Sequence, residues 1–448
     1  MSRFIPQKLS ALRRLRVDKA RHGAASGPTR TPLRSILGPL RIFFAGFALS
    51  LLLMAVERFA IPAIAGWLGL GKFIGDRGLT TFPSLAMPFV FASLYGPAAA
   101  AVTGIASALV AWCALRFNPC TLVSIMCGTL WVAALAHRVR KAADLAILAL
   151  QVFTLQVLLC ALLFKFCNVC VPEIETCEAW EAAALLALHM VAVPFCVSVA
   201  LPLAERVSGL ASDRTLATFA NLEHPLLQRL SREAPGTYGH CMVVADIASA
   251  AAESIGANPL LARLGGYYHD IGKLSSPRYF MENQSLLGNP HDTLPPSVSA
   301  MIIASHVKDG LVLAREYRLP QAIVRIIASH HGTSSMAWFR MKAENQAASG
   351  GAGAADAWPY RYPGPLPCSR EETIVSLADG IEAASRSLLK PDMSDLVRLV
   401  AKICDSRMAD GQFVKSAISI SELEIVKKSF VGTLVHRLHA RAAYPGKN

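Results

Sequence analysis

The stretch Gly265–Lys273 reads Gly-Gly-Tyr-Tyr-His-Asp-Ile-Gly-Lys, and its centre is the doublet His269-Asp270. Adjacent side chains share one side of a helix only near its end, where the backbone turns. Gly272, two residues on, supplies such a turn. A neutral imidazole beside a carboxylate can bind one metal ion, or the carboxylate can bridge two. Lys273 then adds a positive charge where a phosphate oxygen would gain from it. His-Asp pairs are common by chance, so the doublet acquires meaning only from the residues around it.

Those residues lie on the inward faces of helical patterns in the C-terminal half. Apolar spacings of three and four predict helices over Tyr238–Ile255, Pro259–Tyr268, Ser297–Tyr317, Ala322–Ser329, Arg370–Leu389 and Ser421–His439. His240 lies one turn before Val243 and Val244. His306 follows Ile302-Ile303, and His330-His331 closes the helix of Ile323, Ile326 and Ile327. Asp379 follows Ile374 and Leu377. A single inward histidine is usually a satisfied core residue. This many imidazoles and carboxylates on core faces would be costly to bury unless something paired them all, and metal ions do so. One ion cannot take so many ligands. Two ions about 3.5–4 Å apart, sharing a carboxylate, suit hydrolysis of phosphate esters. Histidine and carboxylate ligands without cysteine favour manganese or iron over structural zinc.

The N-terminal half has a different composition. Of the 448 residues 53% are hydrophobic, and that excess precedes about residue 205. The formal net charge is +13, and the first 41 residues hold ten Lys or Arg against Asp18 alone. A basic arm beside an apolar block points to a cytoplasmic tail against anionic lipid. Basic residues without interleaved aromatics after Phe4 argue against a nucleic-acid polymer as partner. A cleaved signal peptide does not fit, because the basic region is too long and no small-residue cleavage site follows a short apolar core.

About six spans are expected. Residues 42–70 form one, interrupted by Glu57-Arg58. The 38 uncharged positions between Arg77 and Arg116 are too long for one pass of about 20 residues, and Gly96-Pro97 divides them into two. Phe117–Ala136, Leu145–Phe164 and Ala182–Ala204 complete the set. The basic cluster 137–141 belongs inside with the tail. The loop 165–181, with Glu173, Glu175, Glu178 and Glu181 against Lys165, belongs outside. Two of Cys167, Cys170 and Cys177 could pair there as a disulfide. The expected order is a basic disordered tail (1–41), a transmembrane helical domain (42–205), a linker helix (206–222) and a cytoplasmic helical domain (223–448). The class is all-α. The Gly/Ala-rich stretch at 347–357 reads as a surface loop.

The order His240…His269-Asp270…Asp379 resembles the HD phosphohydrolase superfamily. Longer strings narrow the likeness. Glu-Ala-Pro-Gly-Thr-Tyr (233–238), Tyr-Tyr-His-Asp-Ile-Gly-Lys (267–273), Glu-Asn-Gln (282–284), Ser-His-Val-Lys-Asp-Gly (305–310), His-His-Gly-Thr-Ser (330–334) and Tyr-Pro-Gly-Pro (362–365) are similar to the bacterial seven-transmembrane HD family. Its PgpH-type members are cyclic di-AMP phosphodiesterases.

The resemblance implies two divalent ions, manganese or iron. His240, His269 and Asp379 would hold one, and His306, His330 and His331 the other, with Asp270 bridging. Lys273 would meet the scissile phosphate, and Arg386, on the face of Asp379, a second phosphate. The family's large extracytoplasmic domain has no counterpart before the first apolar segment. The implied protein is a multi-pass enzyme of the bacterial inner membrane, with its N-terminus and HD domain cytoplasmic. Its substrate is a cyclic dinucleotide, and a homodimer formed through the membrane helices fits. Two other readings are cyclic di-GMP as substrate, which His-His-Gly-Thr-Ser argues against, and a nucleotide receptor without turnover.

Overall fold

The structure is a computed structural model. It describes residues 82–442, apart from short stretches at 115–118, 137–138, 140–141, 168–178, 209, 285–287, 349–359 and 389–390. The basic tail, the first expected span, Cys170, Cys177 and most of the Gly/Ala-rich loop lie outside the described residues. The described residues are helical, with one isolated bridge between Ser335 and Arg361 and no strand. They fall into two compact units, one of 1–134 and 151–193, the other of 135–150 and 194–448.

The first unit contains α1 (Phe82–Tyr95), α2 (Pro97–Ala114) and α3 (Pro119–Leu135), with parts of α4 (Ala142–Cys167) and α5 (Ala179–Ser208). Gly96, at φ +87°, turns the chain between α1 and α2. Gly104 lets α2 approach α3 closely, since a Cβ there would stand 2.6 Å from Cβ of Thr129. Hydroxyls in these apolar helices bond back to their own helix, as Thr103 does to Ala99 O at 2.8 Å and Thr129 to Met126 O at 2.9 Å. One helix among the described residues is long and apolar enough to cross a membrane, Pro296–Glu316. That helix packs inside the second unit and carries buried His306, so its apolar length serves a core.

The second unit begins with an elbow. Residues 206–222 are helical to the end of α5 and again over α6 (Asp213–Phe219). Glu205 ties the turn together. Its carboxylate accepts from Ser212 N at 2.9 Å, Ser212 Oγ at 2.6 Å and Thr215 Oγ1 at 2.9 Å. Then follow α7 (Pro225–Glu233), α8 (Pro235–Ser254) and α9 (Pro259–Tyr268). Each starts with proline, whose missing N–H costs nothing at that position. Asn258 caps α9 by accepting from Leu261 N at 3.0 Å. Four short 3-10 turns lead to α10 (Pro296–Glu316), α11 (Gln321–Ser329) and α12 (Ala337–Ala348). The domain closes with α13 (Arg370–Ser385), α14 (Met393–Ala409) and α15 (Ile420–Ala442).

Two apolar clusters build this unit. One joins α8, α13, α14 and α15 through Ile247, Ala248, Leu377, Val400 and Phe430. The other joins α6, α7, α9, α10 and α11 through Leu216, Leu230, Tyr268, Leu313 and Ile323. Helix α8 serves both, with Val244 in the first and Ala245 in the second. Tyr268 anchors the end of α9 by donating to Phe219 O at 3.0 Å. Tyr268→Phe is expected to lower stability by about 1 kcal/mol in urea unfolding, because Phe219 O loses its partner. An unchanged midpoint would show that solvent replaces the bond.

Candidate metal centre

His269 and Asp270 follow the last turn of α9, as the Gly265–Lys273 stretch predicts. The chain then passes into a 3-10 turn, Ile271–Ser275, which presents Lys273. The turn lies against α10. A Cβ on Gly272 would stand 1.8 Å from His306 O and 2.4 Å from Gly310 N, so only glycine lets backbone meet backbone there. On the other side, Gly266 holds α9 against Ala245 of α8. These contacts bring His240 on α8, His306 on α10, His330 and His331 after α11, and Asp379 on α13 around Asp270.

The ligand atoms form two groups, each within 4.8 Å: His240, His269, Asp270 and Asp379, and Asp270, His306, His330 and His331. Asp270 belongs to both. Its Oδ2 lies 3.2 Å from His269 Nε2 and 3.5 Å from His240 Nε2. Its Oδ1 lies 3.3 Å from His306 Nε2 and 3.7 Å from His330 Nε2.

Hydrogen bonds behind the rings fix which nitrogens face inward. His269, His306 and His330 direct Nδ1 at Gly266 O, Ile303 O and Ile327 O, at 2.9, 2.5 and 2.8 Å. Each carbonyl lies three residues earlier on the same helix, so Nδ1 is the donor and Nε2 turns to the centre. His306 Nε2 and His330 Nε2 thus face each other at 3.3 Å with no proton between them. His269 Nε2 and Asp270 Oδ1 are buried without a hydrogen-bond partner, and Asp270 Oδ2 meets the Lys273 ammonium as an ion pair. Lone pairs converging in a dry site are the signature of a cation site, and these residues fit two divalent ions. His331 lacks a backbone anchor of this kind. Its ring stacks on Tyr362 at 4.0 Å, and its Nδ1 is 3.5 Å from Asp379 Oδ2.

The charges divide the rings. Burial works against ionising both members of the doublet, but Asp270 lifts His269 well above its ordinary value, and His269 and Lys273 hold the Asp270 carboxyl well below the usual range. A cation binding there would displace the His269 proton. Asp379 is held down too, against burial, by His240 and His331. Burial pushes His330 down to about 3 and His331 well below its ordinary value, helped by repulsion between the imidazoles. These rings are neutral and ready to ligate. Burial opposes protonation of His240, yet Asp379 and Glu382 raise it to about 9. Loading a cation there releases that proton.

Lys273 Nζ stands 2.8 Å from Asp270 Oδ2 and 2.7 Å from Glu282 Oε1. Glu282 also accepts from Thr237 Oγ1 at 3.0 Å. A cavity of about 400 Å³ opens beside the centre, lined by His240, Lys273, Met281, Glu282, Asp379 and Arg386 among others. Every expected site residue therefore lines this cavity or belongs to the two ligand groups. Arg386 is the outermost; its Nε donates to Glu382 Oε1 at 2.8 Å, and its Nη2 lies 2.7 Å from the same oxygen as an ion pair. Glu382, Glu282 and Tyr362 had no expected role. Glu382 follows Asp379 by three residues, a helical spacing that marks it as a neighbour. Glu282 stands in the Glu-Asn-Gln string. Tyr362 opens the Tyr-Pro-Gly-Pro string, which signals the resemblance but not the contact with His331.

A helical fold that closes on two imidazole–carboxylate groups around a His-Asp doublet defines a metal-binding domain of the HD class. Residues 237–384 match the family model described as HD domain, so the chain carries an HD domain over that third of its length. Over 245 residues it is 41% identical to the cyclic-di-AMP phosphodiesterase PgpH of Bacillus subtilis, covering 55% of this chain and 34% of that protein. Over 315 residues it is 36% identical to an uncharacterised protein of Synechocystis, covering 69% and 38%. A crystal structure of the Listeria monocytogenes PgpH HD domain in complex with cyclic-di-AMP is 42% identical, with TM-score 0.46, covering 48% of this chain and 99% of that one. The chain spans about a third of the length of the curated relatives it matches.

Proposed function

We propose that this chain is a phosphodiesterase that opens cyclic di-AMP to linear pApA and depends on two divalent cations, manganese or iron. The observation that carries the reading is the pair of ligand groups sharing Asp270, in a domain 41% identical to an enzyme named for that substrate. His240, His269 and Asp379 hold one cation, His306, His330 and His331 the other, and Asp270 serves both. Bound there, the cations supply Lewis acidity toward a phosphodiester and lower the pKa of water.

The protein's own groups orient the substrate. Lys273 has three donors, of which Asp270 and Glu282 take two. The third is free for a phosphoryl oxygen, where it offsets the charge that grows in the transition state. Arg386 keeps Nη1 for the second phosphate of a cyclic dinucleotide. The cavity beside the centre has room for part of such a ligand. About six membrane helices anchor the enzyme in the bacterial inner membrane, with the N-terminus and HD domain in the cytoplasm. Uncharged runs support this, as do apolar side chains turned outward on α2 to α5, among them Leu109, Leu130, Leu150, Leu158 and Phe195. Dimerisation through these helices belongs to the same proposal.

The test is turnover by the full chain in detergent with manganese, on cyclic di-AMP and cyclic di-GMP in parallel. Release of pApA from the first substrate alone is expected. Equal turnover of both would reject the substrate assignment, and tight binding without product would make the chain a receptor. Lys273→Met is expected to slow turnover about 10²–10³-fold while both cations stay bound, because Asp270 loses only a competing positive neighbour. Full activity in that variant would remove Lys273 from the reaction.

A further inference from the structure

His240 is held differently from its neighbours. The Nδ1 atoms of His269, His306 and His330 go to backbone carbonyls, but that of His240 goes to a carboxylate, Glu382 Oε2, at 2.5 Å. Glu382 is 4% exposed and lies one turn after Asp379 on α13. Its other oxygen, Oε1, accepts from Arg386 Nε and forms an ion pair with Nη2. Both oxygens are therefore in use, and neither faces the cation groups as a ligand. Arg386 is 43% exposed at its side chain and opens on the cavity that His240, Lys273 and Asp379 line.

We propose that Glu382 is a positioning residue for the cation held by His240, His269, Asp270 and Asp379, and that Arg386 is its counter-charge. The inference rests on the two-cation reading above. A carboxylate on Nδ1 does three things a carbonyl does less well. It fixes the Nδ1–H tautomer, it aims the Nε2 lone pair, and its charge makes the imidazole a stronger donor to a cation. A buried carboxylate with one neutral partner would be costly to keep ionised, and the guanidinium offsets that cost. Using both Nε and Nη2, it also holds Glu382 in the rotamer that reaches His240. The second ligand group has only backbone carbonyls behind His306 and His330, so the effect is confined to one cation. Sequence separation hides the arrangement, because His240 and Glu382 are 142 positions apart.

The experiment is manganese binding by the full chain in detergent, followed by calorimetry and by electron paramagnetic resonance. Wild type is expected to bind two ions and give the spectrum of a coupled pair. In Glu382→Gln, which keeps the size and removes the charge, one ion is expected to bind about 10–100-fold more weakly and the other unchanged. At intermediate manganese the spectrum is then that of a single ion. Arg386→Gln, at a half-exposed position that does not endanger folding, is expected to weaken the same ion, and Arg386→Lys to restore most of the loss. Unchanged affinities in Glu382→Gln, or equal weakening of both ions, would overturn the assignment. Wild type that fails to bind two ions would instead reject the metal pair itself.

Discussion

Asp270→Asn is expected to empty both cation sites together and to abolish hydrolysis. The substitution keeps the shape and removes the charge that both ligand groups share. Altering a residue behind a metal ligand costs about 10–100-fold in affinity or activity, and losing the shared ligand should cost more than that at each site. The amide would also present a donor to His306, His330 or His240, whose lone pairs already converge. Calorimetry with manganese is the direct measurement, and turnover of cyclic di-AMP follows it. His330→Gln is the informative companion, because His330 belongs to one group only. It should lose one ion and retain the other. If Asp270→Asn still bound two ions with wild-type affinity, Asp270 would not be the bridge.

Gly272→Ala is expected to be the most damaging change away from the ligands. The added methyl would meet the carbonyl oxygen of His306 at 1.8 Å and the amide of Gly310 at 2.4 Å. Both are backbone atoms of α10, so no side chain can swing aside. Relief requires the 3-10 turn and α10 to separate, which moves Asp270 and Lys273 away from His306. A loss of about 3 kcal/mol or more in unfolding free energy is expected, with turnover lost in whatever remains folded. Gly310→Ala is the control. Its methyl would meet Ile327 Cγ2 at 3.0 Å and Gly272 N at 3.4 Å, contacts that a small adjustment relieves. Equal tolerance of both substitutions would show that the turn and helix are not locked together.

The residues of the two ligand groups were legible because each is a polar residue in a place where an apolar one belongs. His240 among Val243 and Val244, and Asp379 after Ile374 and Leu377, break a helical pattern on its buried side. The helices were legible for the same reason, to within a residue or two at most ends. Arg370–Leu389 departs most, since the helix stops at Ser385 and leaves Arg386 at its cap, and the expected ends at Tyr238 and His439 each fall three residues short. Helix α14 escaped notice although Leu396, Val400 and Cys404, all buried, repeat every four residues and Asp392 with Asp395 forms a capping box. The residues behind the ligands were harder to see. What Glu282 and Tyr362 touch is set by how turns and helices cross, and no local pattern carries that information. Glu382 was within reach, three residues after a ligand on the same helix. The apolar length of Pro296–Glu316 shows the reverse hazard, since composition alone would place a core helix in lipid.

The centre draws its ligands from five helices or helix ends, and His240 and Asp379 are 139 positions apart. Each proposed cation would therefore be a cross-link between distant parts of the chain as well as a reagent. A cation present at 100 times its dissociation constant adds about 2.7 kcal/mol to the folded state. Without the metal, the converging polar groups would remain buried, and the same helices would be held by apolar contact and by hydrogen bonds such as that of His240 to Glu382. Proteases act on the opened chain, whose population rises tenfold for each 1.4 kcal/mol lost. On the two-cation reading, metal supply would therefore set how many copies of the protein survive proteolysis, in addition to how fast each copy works.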